Sequence, residues 1–141
     1  MRNKNRLSLL IVLLTAVFML PVNLAANTKY YSSVQNICNA YQVPTDYDHM
    51  NLITTGDGKE EFTMTMRSAR NQFDRMMLIG FYAAGKAMVY HNEPIRKVTI
   101  IVSIEYKETE NIVASADRDN IMKFVNGEIT SSEFVRRITF E

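Results

Sequence analysis

The sequence is short of the residues on which small proteins usually build a chemical site. Its 141 residues include one cysteine, two histidines and no tryptophan. A single cysteine, Cys38, cannot form a disulfide framework or a zinc–thiolate cluster, because both need several thiols. With only His49 and His91 present, acid–base catalysis near neutral pH has few candidate groups. Disulfide scaffolds and cysteine-based zinc sites are therefore excluded.

An excess of charge of one sign is also lacking. The chain has 16 basic and 15 acidic residues and is 47% hydrophobic. It is too neutral to bind nucleic acid by phosphate neutralisation and too apolar to be intrinsically disordered. Residues 1–26 hold three of the basic residues, none of the acidic ones and seven of the nine leucines, which leaves 13 basic and 15 acidic residues in 27–141. The remainder is a slightly acidic domain, for which we expect no nucleic-acid partner.

The N-terminal segment has the layout of a secretory signal peptide. Basic residues in Arg2–Arg6 precede the mainly apolar run Leu7–Leu20, and Leu24-Ala25-Ala26 offers small residues for cleavage after Ala26. The alternative is an uncleaved N-terminal membrane anchor, although 14 helical residues rise only about 21 Å. Either interpretation predicts an extracytoplasmic location, secreted or periplasmic, with 27–141 as a single domain. Contact with a membrane is expected only if the segment is retained.

Hydrophobic periodicity predicts an α+β domain. Helical spacing indicates helices over 29–41 and 68–91, and alternation of apolar and polar residues indicates four strands. The predicted strands are 50–55, 61–66, 97–106 and 111–116. We expect a two-layer fold in which an antiparallel sheet of about four strands packs on the long helix, with short N- and C-terminal helices. An alternative reading begins the long helix near Glu60.

The C-terminal residues carry helix-capping signals. Asp117 can cap a helix through Val125, Gly127 suits the position after its end, and Thr130 with Glu133 forms a capping box. The run Met122–Phe134 resembles the short C-terminal helix-turn-helix module known as SHOCT. The resemblance implies two short helices and no particular activity.

The long predicted helix is apolar almost all round. Between Met76 and Tyr90 its only charged residue is Lys86. A helix of this kind needs cover on more than one side, from the sheet and from other helices or a second subunit. Gly80 and Gly85 would let a neighbouring element approach closely. A protein partner or self-association through this helix is one expected outcome, and Cys38 is expected either to be buried or to pair between chains.

Two groups of side chains could hold a metal ion. Nitrogen and oxygen ligands come from a predicted loop and from the end of the long helix, and thioether ligands come from the second strand. The candidates are Asp46, Asp48, His49, Met64, Met66, His91 and Glu93. Copper or zinc would suit such ligands. No bound cofactor is otherwise expected.

Three functional classes remain open. The first is a non-catalytic exported module that binds a partner chain or a small apolar ligand, with a homodimer as its simplest form. The second is an extracytoplasmic metal-binding protein. The third is a small hydrolase-type enzyme, which would need His49 or His91 paired with a carboxylate. Because histidine is scarce and packing residues are abundant, the sequence favours the first class.

Overall fold

The computed structural model describes residues 22–105 and 108–141, and side chains within that part of the chain from residue 27 onward. Most of the predicted signal segment lies outside the described residues. The α-helices in the described ranges are α1 (Val22–Ala40), α2 (Phe73–His91), α3 (Arg118–Val125) and α4 (Ser131–Val135), with a 3-10 turn at Tyr47–His49. The strands are β1 (Met50–Thr54), β2 (Glu60–Ser68), β3 (Ile95–Glu105), β4 (Thr109–Asp117) and β5 (Thr139–Phe140). The α+β class predicted from the sequence is confirmed.

The sheet differs from the prediction in strand number and direction. It has five strands in the order β1-β2-β3-β4-β5, and the central pair β2 and β3 is parallel while the other pairs are antiparallel. The expected four-stranded, fully antiparallel sheet is therefore wrong. Helix α2 has 19 residues and spans about 28 Å, close to the length of β2, so it returns the chain to the starting end of β2. A strand entered from that end must run parallel to its neighbour.

The boundaries of the long helix were only partly predicted. Residues from Glu60 to Ser68 form β2, so the alternative helix beginning near Glu60 is wrong. Helix α2 begins at Phe73 rather than at 68, and Gln72 provides no side-chain cap. Its C-terminal end is as expected, because Asn92 adopts φ 52° in the left-handed region and stops the helix. Helix α1 is longer than predicted and begins at Val22, so the predicted cleavage position after Ala26 falls within it.

Helix α2 lies at the centre of the core, and two glycines let its neighbours come close. A Cβ atom on Gly80 would stand 2.8 Å from Met66 Sδ on β2, and one on Gly85 would stand 2.6 Å from Ile121 Cγ2 on α3. On the α1 side, the buried hydroxyl of Tyr30 donates to the Ala84 carbonyl oxygen at 3.1 Å. The expected cover on more than one side is thus supplied by the sheet, α1 and α3 of the same chain.

The C-terminal caps form as predicted. Asp117 accepts from the Asn120 N–H at 2.8 Å, and Thr130 and Glu133 form a complete capping box. Gly127 has φ 74°, the left-handed conformation that a residue after a helix end requires. Phe134 then stacks on Phe124 with ring centroids 4.4 Å apart. The Phe134 ring also lies 5.3 Å from that of Phe81 in an edge-to-face arrangement, which attaches the C-terminal helix pair to α2.

Within the described residues, no helix is both long and apolar enough to cross a membrane.

Cys38 is a free, buried thiol, which agrees with the first of its two expected states. Desolvation raises its pKa from 9.0 to about 11. Pairing between chains would require the end of α1 to open.

Candidate functional site

A groove of about 620 Å³ runs along the surface between α1 and α2. Its walls come from both helices and from the residue that follows α1. The lining residues are Ser33, Asn36, Ile37, Ala40, Tyr41, Tyr82, Lys86 and Tyr90. A volume of this size lies within the range of small-molecule sites, which are mainly apolar with a few polar groups.

The groove has aromatic side chains because α2 repeats them on one face. Tyr82, Lys86 and Tyr90 stand four residues apart, which places them in a row about 12 Å long on one side of the helix. Tyr41 completes the wall from the end of α1, with its ring 5.8 Å from that of Tyr82 in an edge-to-face arrangement. Tyr90 is 80% exposed and Tyr41 is 44% exposed. The row is therefore an apolar surface open to solvent.

Electrostatics within the groove centre on Lys86, the charged side chain among its lining residues. Its Nζ atom lies 5.6 Å from the centroid of the Tyr82 ring, a cation–π distance. The interaction and hydrogen bond with Tyr82 raise the pKa of Tyr41, while Lys86 lowers it. Tyr41 thus remains a neutral hydrogen-bonding group at ordinary pH. The groove combines aromatic surface with one positive charge.

One end of the groove carries a serine–histidine contact. Ser33 Oγ on α1 lies 2.7 Å from His91 Nε2, on the last residue of α2, and both side chains are half-buried. Glu93 follows two residues later and interacts electrostatically with His91. Desolvation, and then the negative charge of Glu60, raise the pKa of Glu93, while His91 lowers it. Sequence analysis identified His91 and Glu93 but not Ser33.

The loop candidates lie in a different place. Asp46 caps the 3-10 turn at Tyr47–His49, and Asp48 and His49 are exposed. Asp46 and His49 line a second cavity of about 590 Å³ together with Met66, Arg67 and Glu105. This cavity is at the end of the sheet where the parallel strands β2 and β3 finish.

The two histidines do not share a cleft. His49 precedes β1, whose first residue Met50 is paired with Met64 in the middle of β2. Glu93 interacts with both His91 and Glu60, the first residue of β2. The distance along β2 from Glu60 to the level of His49 is about 15 Å at 3.3 Å per residue. His49 and His91 therefore belong to separate sites.

The methionine candidates face the interior. Met64 and Met66 are 1% and 2% exposed, and Met66 packs against Gly80 beneath α2. Their thioethers fill the space between the sheet and the helix, a common use of methionine. In the part of the chain that the structure describes, no three His, Cys, Asp or Glu side chains form a group that could hold a metal ion. A copper or zinc site remains a prediction, limited to the Asp46, His49 and Met66 cavity.

Local patterns could have found part of the groove. The four-residue spacing of Tyr82, Lys86 and Tyr90 is visible in the sequence, but the helix was interpreted as apolar almost all round, with no distinct aromatic face. Ser33 carried no local signal, because its partner is 58 residues away.

Comparison of the chain with known protein families, with curated proteins and with solved structures finds no match.

Proposed function

We propose that the protein is a small exported binding module whose groove between α1 and α2 binds a small, largely apolar ligand with a negatively charged group. The observation that supports this proposal is the group of three tyrosines around Lys86, of which Tyr41 and Tyr90 are exposed and Tyr82 is half-buried. Aromatic rings offer a large contact area at low conformational cost, and a single cation favours an anionic ligand group.

Burial within the chain supports a ligand groove over a general role of α2 in association. From Met76 to Met88 most of the apolar side chains of α2 are buried against the sheet, α1 and α3. Val89 and Tyr90, which follow that segment at the end of the helix, are exposed. Self-association as a homodimer would have to use this end of α2 and the adjacent groove.

The proposal includes the two-layer arrangement expected from the sequence. Burial along β3 supports it, because Val98, Ile100 and Val102 are fully buried while Thr99 and Ile101 between them are half-exposed. The helices would then cover one face of the sheet, and the groove would lie on the outer surface of that helical layer.

Binding of an aromatic anion tests the proposal. Anilinonaphthalene sulfonate should bind the purified protein and shift the NMR signals of the groove residues. Lys86→Gln should weaken binding about tenfold, as expected for loss of a partly desolvated charge contact worth about 1.4 kcal/mol. Lys97→Gln, on β3 away from the groove, is the matched control. Equal binding by both variants, or signal shifts elsewhere, would contradict the proposal.

Sedimentation tests the homodimer form separately. A dimer through this surface should dissociate in Tyr90→Ala and persist in the wild type at micromolar concentration. A wild-type protein that remains monomeric at high micromolar concentration contradicts the homodimer form.

A metal-binding function is the second candidate, because Asp46 and His49 line the cavity beside β2 and the largely buried Met66 is among its lining residues. Metal analysis of natively purified protein should then find copper or zinc, and His49→Gln should remove it. Protein without either metal contradicts this function.

A further inference from the structure

The contact between Ser33 and His91 has the geometry of an activated nucleophile. Its 2.7 Å separation is within the range over which a base can take a proton from a hydroxyl. The two residues come from different helices and are 58 positions apart, so the contact depends on the tertiary fold. With the ring proton on Nδ1, Ser33 Oγ–H donates to His91 Nε2.

The surroundings of His91 favour the positive charge that the ring would gain. His91 is the last residue of α2, where the negative end of the helix dipole stabilises cations. Glu93 adds a nearby carboxyl that interacts with the ring. On the other sides, the rings of Tyr30 and Tyr90 lie 6.5 and 4.9 Å away and restrict the imidazole. These contacts can hold the ring in position while its charge changes.

The groove supplies the other parts of an acyl-transfer site. Ser33 opens onto it, and Asn36 stands three residues later on the same face of α1. A side-chain amide is one of the groups that stabilise the oxyanion of a tetrahedral intermediate. Ile37 and Tyr90 line the same groove and offer an apolar surface for the acyl chain.

We propose that Ser33 is a nucleophile that accepts the acyl group of apolar carboxylic esters, with His91 as its general base. Ser33 Oγ attacks the ester carbonyl carbon and its proton passes to His91 Nε2. The carbon–oxygen bond to the alcohol then breaks, and the alcohol leaves with that proton. Water attacks the acyl-serine, His91 takes one proton from it, and the carboxylic acid is released as Ser33 regains its hydrogen.

This inference rests on the proposed function for the location of the acyl chain, but it adds covalent chemistry that binding alone does not require. In the purified full chain, 4-nitrophenyl butyrate should release nitrophenol, and peptide mapping of protein quenched in acid during turnover should find the butyryl group on Ser33. Ser33→Ala should abolish the modification. His91→Gln should slow it at least tenfold, since positioned general bases contribute about 10²- to 10⁴-fold.

Two controls test whether the reaction is specific to Ser33 and whether each variant is folded. Ser32→Ala changes the neighbouring half-buried hydroxyl and should leave the rate unaltered. Circular dichroism of each variant verifies its folding.

The outcomes separate this inference from the proposed function. If Ser33 is not acylated, or if Ser33→Ala reacts like Ser32→Ala, the serine–histidine contact only joins two helices and the inference is wrong. The proposed function still stands in that case, provided that the aromatic anion binds and Lys86→Gln weakens it. If neither acylation of Ser33 nor binding of the aromatic anion is found, both the inference and the proposed function are rejected.

Discussion

Replacing Gly85 by alanine should destabilise the protein even though alanine is the better helix former. The added Cβ would lie 2.6 Å from Ile121 Cγ2 and 3.0 Å from Val125 Cγ1. Carbon atoms pack best at about 3.5–4.0 Å, so both side chains must move by roughly an ångström. They are β-branched, stiff at χ1 and on the same short helix, α3, so the helix itself has to shift.

The expected magnitude follows from two opposing effects. Alanine gains about 1 kcal/mol over glycine in a helix interior. Overpacking costs about 1–3 kcal/mol, and stiff neighbours place Gly85 near the upper value. We therefore expect Gly85→Ala to lower the free energy of unfolding by about 2 kcal/mol. At Gly80 the nearest atom is Sδ of the flexible Met66, so Gly80→Ala should change stability by less than about 1 kcal/mol.

Urea denaturation with linear extrapolation measures both effects. The denaturant midpoint should fall for Gly85→Ala with an unchanged slope, because the surface exposed on unfolding is the same. Ile121→Leu removes the branch at Cβ, so the double variant should lose less stability than the two single variants combined. A Gly85→Ala protein as stable as the wild type would refute this account of the contact between α2 and α3.

Three further predictions concern polar contacts. Desolvation, and then the negative charge of Glu60, raise the pKa of the Glu93 carboxyl in the folded protein. The protonated carboxyl therefore contributes stability that is fully present below the unfolded pKa of 4.5 and is lost as pH rises through the folded pKa. Glu93→Gln should therefore increase the thermal midpoint more at about pH 7 than at about pH 4, and an equal change at both contradicts the sign. Tyr31 Oη accepts from the Leu52 N–H at 2.7 Å on the edge strand β1, so Tyr31→Phe should lower the free energy of unfolding by about 1 kcal/mol. The exposed edge should also increase light scattering on heating, whereas unchanged scattering would show that the edge is protected in another way. Asp117→Ala should lower the free energy of unfolding in urea by about 1 kcal/mol, because it removes the N-cap of α3. Asp119→Ala, which removes a first-turn carboxylate that does not cap the helix, is the control, and equal effects of the two variants would argue against capping.

Prediction from the sequence succeeded where structure depends on local periodicity. The alternation along β3 and the apolar period of α2 each extend over many residues, and Asn92, Asp117 and the Thr130 capping box set helix ends through neighbouring atoms. The start of α2 was misplaced because alternation continues to Ser68 and no capping side chain marks Gln72.

Non-local features could not be predicted in the same way. Apolar and polar residues alternate in the same way along parallel and antiparallel strands, so this pattern does not reveal strand direction. The parallel pairing of β2 with β3 depends instead on the path of α2 between them. Strand β5 has two residues, too few for any period. For the site, local composition located His49, His91 and Glu93, but only the packing of α1 on α2 brings Ser33 to His91. The pairing of β1 with β2 then places His49 in a separate cavity.

The parallel pairing of β2 with β3 has a consequence for how the chain folds. Hairpins β1–β2 and β3–β4 each join neighbouring segments and can form early, whereas the central pair brings Glu61 beside Lys97 across the whole of α2. Closing that long loop costs entropy before its contacts form, which slows folding. We therefore expect the transition state to be the docking of two preformed halves through α2. Substitutions at Gly80, where α2 meets both central strands, should then alter the folding rate more than the unfolding rate.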